Sequence, residues 1–200
     1  MTFNAVLEFE NKIAEYYGSS FAVATDCCTH AIELCLRYKN ISYAVCPKHT
    51  YISIPFTFQK LNLKWNFVDL KWQDFYYVTD NIIDSAVYWQ EDSYIQNTMM
   101  CLSFQFQKHL SLGRGGAILI DNQKDYIELK KMSYDGRVPN QPWAEQKIAS
   151  LGYHYYMTPE TAEIGLNKLE EAKRTKPRKW SDIDYPDLSE MPIFQSSWVS

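Results

Sequence analysis

The chemistry available to this chain of 200 residues gathers around one lysine. Lys108 stands in a polar loop between two apolar runs, residues 98–103 and 116–120, with Gly113, Gly115 and Gly116 after it. Glycine lets a backbone take positive φ and approach other groups closely. Loops held between rigid strands are where function concentrates, so Lys108 is taken as the chemical centre. Two further groups suit a lysine site. Asp84 closes the apolar pair Ile82-Ile83, and Thr29 follows Asp26-Cys27-Cys28 at the start of a helical pattern. Free backbone N–H groups at such a helix start bind anions. Ser103 and Tyr51 stand at two more strand ends.

The elements that must position these groups are legible from periodicity. Val6, Phe9, Ile13 and Tyr17 recur at helical spacing and Gly18 follows them, which predicts an amphipathic helix over 5–17. Strands are predicted at 21–25, 43–46, 65–69, 82–84, 98–103 and 116–120. Helices are predicted at 30–38, after Thr50-Tyr51 with Pro55 in the first turn, and at 124–132. Thr158 and Pro159 open a last helix, with Ala162, Gly165, Leu166 and Leu169 along one face. Strands alternating with helices indicate an α/β fold, a mainly parallel sheet flanked by helices. In such sheets ligands lie beyond the carboxyl ends of the strands. Thr29, Tyr51, Asp84, Ser103 and Lys108 all follow strand ends, so one pocket is expected to collect them.

Composition narrows the function classes. A net charge of −4 leaves no electrostatic footprint for nucleic acid or an anionic membrane. The basic run 173–179 reads as a solvated helix end. Cys27, Cys28, Cys35, Cys46 and Cys101 form no C-x-x-C pair and no zinc spacing, and a reduced, cytoplasmic protein is expected. No apolar run has the length of a membrane span, and the N-terminus lacks a signal layout. Fifteen Tyr, ten Phe and six Trp suit a small core or a subunit interface. Residues 1–174 read as one α/β domain. Residues 175–200 read as an extended aromatic tail with Trp180, Tyr185, Ile193, Phe194 and Trp198, loosely ordered or laid across another surface.

Several segments, in order, carry a resemblance. They are Glu8-Phe9-Glu10 through Gly18, the turn Ala24-Thr25-Asp26-Cys27-Cys28-Thr29-His30-Ala31, and Pro47-Lys48-His49-Thr50-Tyr51. Phe67-Val68-Asp69, Ile83-Asp84-Ser85-Ala86, Ser103-Phe104-Gln105-Phe106-Gln107-Lys108 with its glycines, and Gly152-Tyr153-His154-Tyr155-Tyr156-Met157 complete the set. Over residues 6–172 the chain resembles the large domain of the DegT/StrS-type sugar aminotransferases, fold-type I enzymes that use pyridoxal 5'-phosphate (PLP). The resemblance implies a PLP-dependent aminotransferase that moves an amino group from an amino acid such as glutamate to a keto-sugar nucleotide. It implies Lys108 as the Schiff-base lysine and Asp84 as partner of the pyridine nitrogen. Thr29, with the N–H groups of Cys28 and His30, would hold the phosphate, Ser103 would add a contact, and Tyr51 would stack on the ring. Gln105 falls where the family has a cofactor-side histidine. His154 falls where an asparagine reaches the phosphate of the neighbouring subunit, implying a homodimer.

The departures from that pattern keep other outcomes open. Cys28 replaces a glycine, Val87 a glutamine and Tyr156 an arginine. The stretch between Asp69 and Asp84 is short where the family has further strand–helix units, and the C-terminal small domain is missing. A decarboxylase, racemase or dehydratase using the same cofactor is one alternative. A non-catalytic binding or assembly module is the other.

Overall fold

The apolar runs and helical patterns assemble into three layers, helices on either face of a sheet, in a computed structural model that describes residues 3–195. Met1, Thr2 and residues 196–200, Trp198 of the expected tail among them, lie outside the described residues. The strands are β1 (Phe21–Thr25), β2 (Tyr43–Pro47), β3 (Lys64–Val68), β4 (Tyr76–Thr79), β5 (Ile82–Asp84), β6 (Met99–Ser103) and β7 (Gly116–Ile120). The helices are α1 (Asn4–Tyr17), α2 (Cys28–Tyr38), α3 (Ser53–Lys60), α4 (Gln123–Ser133), α5 (Pro159–Arg174) and a short α6 (Pro192–Gln195).

The main sheet has the order β1-β7-β6-β5-β4, and β2 and β3 form a separate parallel pair. The α/β class is as expected, but the sheet is mixed rather than mainly parallel. Its one parallel pairing is β5–β6; β1–β7, β7–β6 and β5–β4 are antiparallel. The reason lies in the connections. The 104–115 loop between β6 and β7 contains no helix to carry a crossover, and Asp80-Asn81 joins β4 to β5 as a tight hairpin. Parallel neighbours need a long crossover, whereas a short turn reverses the chain.

Successive side chains on a strand point to opposite faces, and here both faces are covered. Met100, Leu102, Ala117 and Leu119 pack with Val6, Phe9 and Ile13 of α1 and with Ala162 and Leu169 of α5. Met99, Cys101, Ile118 and Ile120 pack with Ala31, Ile32, Leu34 and Cys35 of α2, Phe58 of α3 and Leu129 of α4. Burial on both sides is why these strands read as unbroken apolar runs. No helix among the described residues is long and apolar enough to cross a membrane.

Two later segments return to the carboxyl ends of β1 and β2. The Asp26 N–H donates to the Tyr155 carbonyl at 2.8 Å, and Thr25 bridges to Tyr156. The stretch after α5 docks by backbone bonds. Asp74 N–H donates to Trp180 O at 2.9 Å, Asp182 N–H to Trp72 O at 3.2 Å and Leu188 N–H to Lys48 O at 2.9 Å. Trp72 Nε1 donates to His49 O at 2.8 Å, and His49 Nδ1 meets Tyr185 O at 2.9 Å, so the docked segment and its seat share hydrogen bonds.

Candidate active site

A cavity of about 540 Å³ opens at the carboxyl ends of β1, β2, β5 and β6. Cys28, Thr29, Tyr51, Asp84, Ser103, Gln105 and Lys108 line it together, as the strand-end argument requires. A second cavity of about 310 Å³ adjoins it, sharing Ser103, Gln107, Lys108, Arg178 and Trp180.

Asp84 is the last residue of β5 and is 6% exposed. Register explains its main contact, because β4 pairs antiparallel with β5 and sets Tyr76 directly opposite Asp84. The Tyr76 hydroxyl donates to Asp84 Oδ2 at 2.6 Å, and Ala86 N–H donates to Oδ1 at 3.0 Å. Thr50 Oγ1 lies 2.6 Å from the Tyr76 hydroxyl. With its one proton given to Asp84, Tyr76 accepts from Thr50. Each carboxylate oxygen retains a lone pair for a further donor. Burial raises the Asp84 pKa, opposed by the bonds from Tyr76 and Ala86 and by the charge of Lys108. The Tyr76 pKa is raised far above the usual phenol range, by burial first and then by Asp84. In that pair Tyr76 is the donor and Asp84 Oδ2 the acceptor.

Lys108 is half-buried in the loop after β6, its N–H bonded to Gln105 O at 2.8 Å. Its ammonium lies 5.1 Å from the centroid of the Trp180 ring. Burial lowers its pKa, against the opposing pull of Asp84 and Cys28. A lowered lysine pKa increases the neutral, nucleophilic fraction.

The third component is the start of α2. Cys27 is its N-cap, and Ala31 N–H to Cys27 O, at 3.1 Å, is the first bond the helix closes. The N–H groups of Cys28, Thr29 and His30 precede that bond and are those a helix leaves without intrahelical partners. Thr29 Oγ1 lies 2.8 Å from Ser53 Oγ at the start of α3. The turn rests on β7: a Cβ on Gly116 would fall 2.5 Å from Cys27 C and Cys28 N. Backbone atoms cannot yield as a side chain does, so Gly116 is what lets the turn sit at the strand end. Gly116→Ala is expected to cost ~1–3 kcal/mol of stability and to weaken anion binding at the turn. A urea midpoint equal to the parent's would remove that role for the glycine.

His30 and His154 lie outside the lining of both cavities. The His30 ring stacks on Tyr155 with centroids 3.7 Å apart, and its Nδ1 lies 2.6 Å from Asp26 Oδ1. Burial opposes its charge, but the hydrogen bonds to Asp26 and Cys27 raise its pKa to about 9. Arg114 reaches the other Asp26 oxygen at 2.8 Å, so Asp26 links two cations beside the turn. The Cys28 thiol is buried with its pKa raised by burial, leaving its backbone N–H as the group to offer. Tyr51 stands at the cavity mouth, 60% exposed. Ser103 accepts the Gln105 N–H at 3.4 Å, and Gln105 Oε1 accepts the Gln107 N–H at 2.9 Å. His154 is bonded to Asp135 at 3.0 Å, with its side chain 72% exposed.

Sequence reasoning missed Tyr76, Thr50, Gln107 and Arg114, and left Arg178, Trp180, Asp184 and Tyr185 unplaced; all line a cavity. For Tyr76 a cue existed. Tyr-Tyr-Val-Thr and Ile-Ile flank Asp80-Asn81, the pattern of a hairpin.

A model of the DegT/DnrJ/EryC1/StrS aminotransferase family matches residues 1–90 and 94–185. A search of curated proteins finds no match. Among solved structures, AtS13 from Actinomadura melliaura superposes with a TM-score of 0.74 at 18% identity, over 84% of this chain and 60% of that one. PseC of Helicobacter pylori, an aminotransferase involved in the biosynthesis of pseudoaminic acid, gives 0.72 at 13% identity, over 85% and 58%. Spr1654 from Streptococcus pneumoniae, in its PLP-form, gives 0.69 at 17% identity, over 84% and 59%. The chain thus spans about 60% of the length of the structures it matches, and likeness at these identities establishes the fold.

Proposed function

We propose that this chain, which belongs to the DegT/DnrJ/EryC1/StrS aminotransferase family, holds PLP in the larger cavity and moves an amino group from an amino acid such as glutamate to a keto-sugar nucleotide. The observation that carries the reading is the convergence on one cavity of a buried carboxylate with a lone pair free, a half-buried lysine of lowered pKa and a helix start. These residues fit a pyridine with a phosphate. Asp84 suits the ring nitrogen, the N–H groups of residues 28–30 with Thr29 and Ser103 suit the phosphate, and Tyr51 and Gln105 border the ring. When bound, the cofactor supplies an aldehyde to receive amines and a ring to accept electron density from the substrate carbon.

The chain's own residues do the rest. Burial keeps a useful fraction of Lys108 Nζ neutral, so Lys108 would be the group that holds the cofactor's aldehyde carbon, with water as the leaving group. When free, the same Nζ would be the base placed to carry the proton of the substrate α-carbon. Asp84 would keep the ring nitrogen protonated, its carboxyl oriented by the Tyr76–Thr50 hydrogen bonds. The nitrogen leaves the donor, which departs as a keto acid, and passes to the acceptor carbonyl, so no external oxidant or reductant is needed. His154, exposed and away from its own cavity, is assigned to the partner's phosphate in a homodimer. The five free thiols, four of them buried, suit the cytoplasm.

Protein incubated with PLP should show the visible band of lysine-bound cofactor, and borohydride should fix the cofactor to the peptide that contains Lys108. Glutamate should discharge the band and release 2-oxoglutarate. A colourless protein overturns the reading. A band that no common amino donor discharges favours decarboxylation, racemisation or dehydration. A strictly monomeric protein that binds PLP tightly removes the role of His154.

A further inference from the structure

The segment that follows α5 is the wall of the lysine site. Arg178 and Trp180 line both cavities, and Asp184 and Tyr185 line the larger one. One indole carries two cations: Lys108 Nζ lies 5.1 Å and Arg178 Cζ 3.9 Å from the Trp180 ring centroid. The indole is fixed from behind, where the Trp180 carbonyl accepts Asp74 N–H and Lys179 Nζ reaches Asp74 Oδ2 at 3.0 Å. Arg178 is aimed as well. Its Nη2 bonds Asp184 Oδ1, while Asp184 Oδ2 accepts Ser181 N–H at 2.9 Å in a capping box.

Guanidinium presents five donors in a planar fork, so one bond to Asp184 leaves several for a ligand. A guanidinium stacked on an aromatic face loses little freedom when it grips a planar carboxylate in two-pronged fashion. The smaller cavity beside it is walled by Tyr17, Tyr88 and Trp89, and the buried Trp89 Nε1 has no hydrogen-bond partner among the described residues. A site with an amine-reactive lysine, a forked cation on the same indole and an aromatic chamber beside both has the chemistry to receive an α-amino acid.

We infer that Arg178, held on Trp180 by the C-terminal segment, takes the α-carboxylate of the amino donor and so sets which amines reach Lys108. This rests on the aminotransferase reading above, and it gives the segment after α5 the task of recognising substrate. Arg178 is a specificity residue in this scheme; the proton transfers belong to Lys108.

L-Glutamate and 4-aminobutyrate differ only in the α-carboxylate, and glutarate is an unreactive dicarboxylate. In PLP-loaded parent protein, glutamate should discharge the visible band in preference to 4-aminobutyrate, and glutarate should bind by calorimetry. Arg178→Met should keep the band, raise the KM for glutamate by about 10–100-fold, leave 4-aminobutyrate unchanged and weaken glutarate to a similar extent. Arg178→Lys should restore part of the preference, since a point charge replaces the fork. A parent without preference, or an Arg178→Met protein with intact band and unchanged preference, overturns the inference while leaving PLP binding standing. Absence of the band in the parent overturns the aminotransferase reading, and this inference with it.

Discussion

Lys108→Ala should cut amino transfer by about 10⁴-fold, in a protein that still folds and still takes up PLP without a covalent bond. The size follows from two tasks falling on one nitrogen, since Nζ would both hold the cofactor's aldehyde carbon and carry the α-proton. The selectivity follows from what Nζ does not do. Among the described residues it makes no hydrogen bond or ion pair, and its contact is with the face of Trp180. A contact of that kind contributes ~0.5–2 kcal/mol, so the variant should unfold close to the parent in urea. Cofactor retention by Lys108→Ala would come from Asp84 and the start of α2, and should be measurable by equilibrium dialysis. A variant that kept a tenth of the parent rate would displace Lys108 from the centre of the site. The parent carries a pH signature as well. Burial lowers the lysine pKa, so attachment of the cofactor should rise with pH through a midpoint below that of ordinary lysine.

What was legible in the sequence divides along a physical line. The unit from Phe21 to Tyr38 could be read almost residue by residue, because a doubly buried strand is a continuous apolar run and the helix behind it has its own period. Every site residue placed from sequence at a strand end lines the cavity, since strand ends and the ligand side of an α/β sheet coincide. Tyr76 escaped because its value depends on register: only the β4–β5 pairing places it opposite Asp84. The strand β4 escaped altogether, and the mixed character of the sheet escaped because the short 104–115 and 80–81 connections reverse β7 and β4 against their neighbours. The segment after α5 has no periodicity to read. It is held by backbone bonds to Lys48, Trp72 and Asp74, distant in sequence and contributing no side-chain pattern to the segment itself. Trp180 and Arg178 thus looked like tail, and only tertiary contact makes them wall.

Asp84→Asn should move rate and stability in opposite directions. Without a carboxylate the proton on the ring nitrogen has no counter-charge, and the loss of one such preorganised partner costs on the order of 10²–10³-fold in rate. Stability turns on burial. A folded-state pKa raised above the unfolded value means that ionising Asp84 is harder in the folded chain. Its contribution is therefore largest below the ordinary carboxylate range and is lost as pH rises through the folded pKa. Asparagine has no such loss to undergo. Its amide can also be accommodated, because the relay reverses: the amide NH₂ donates to the Tyr76 oxygen and the Tyr76 hydroxyl donates to Thr50, while the amide oxygen keeps the Ala86 N–H. At neutral pH the cofactor-free variant should melt above the parent, by about 2–4 °C for each kcal/mol recovered, and the gap should close as the pH is lowered. With PLP bound the order should invert, because the ring nitrogen supplies the parent's carboxylate with the partner that burial denies it. A variant that melts below the parent at neutral pH without cofactor would show that the Tyr76 bond, rather than desolvation, governs Asp84.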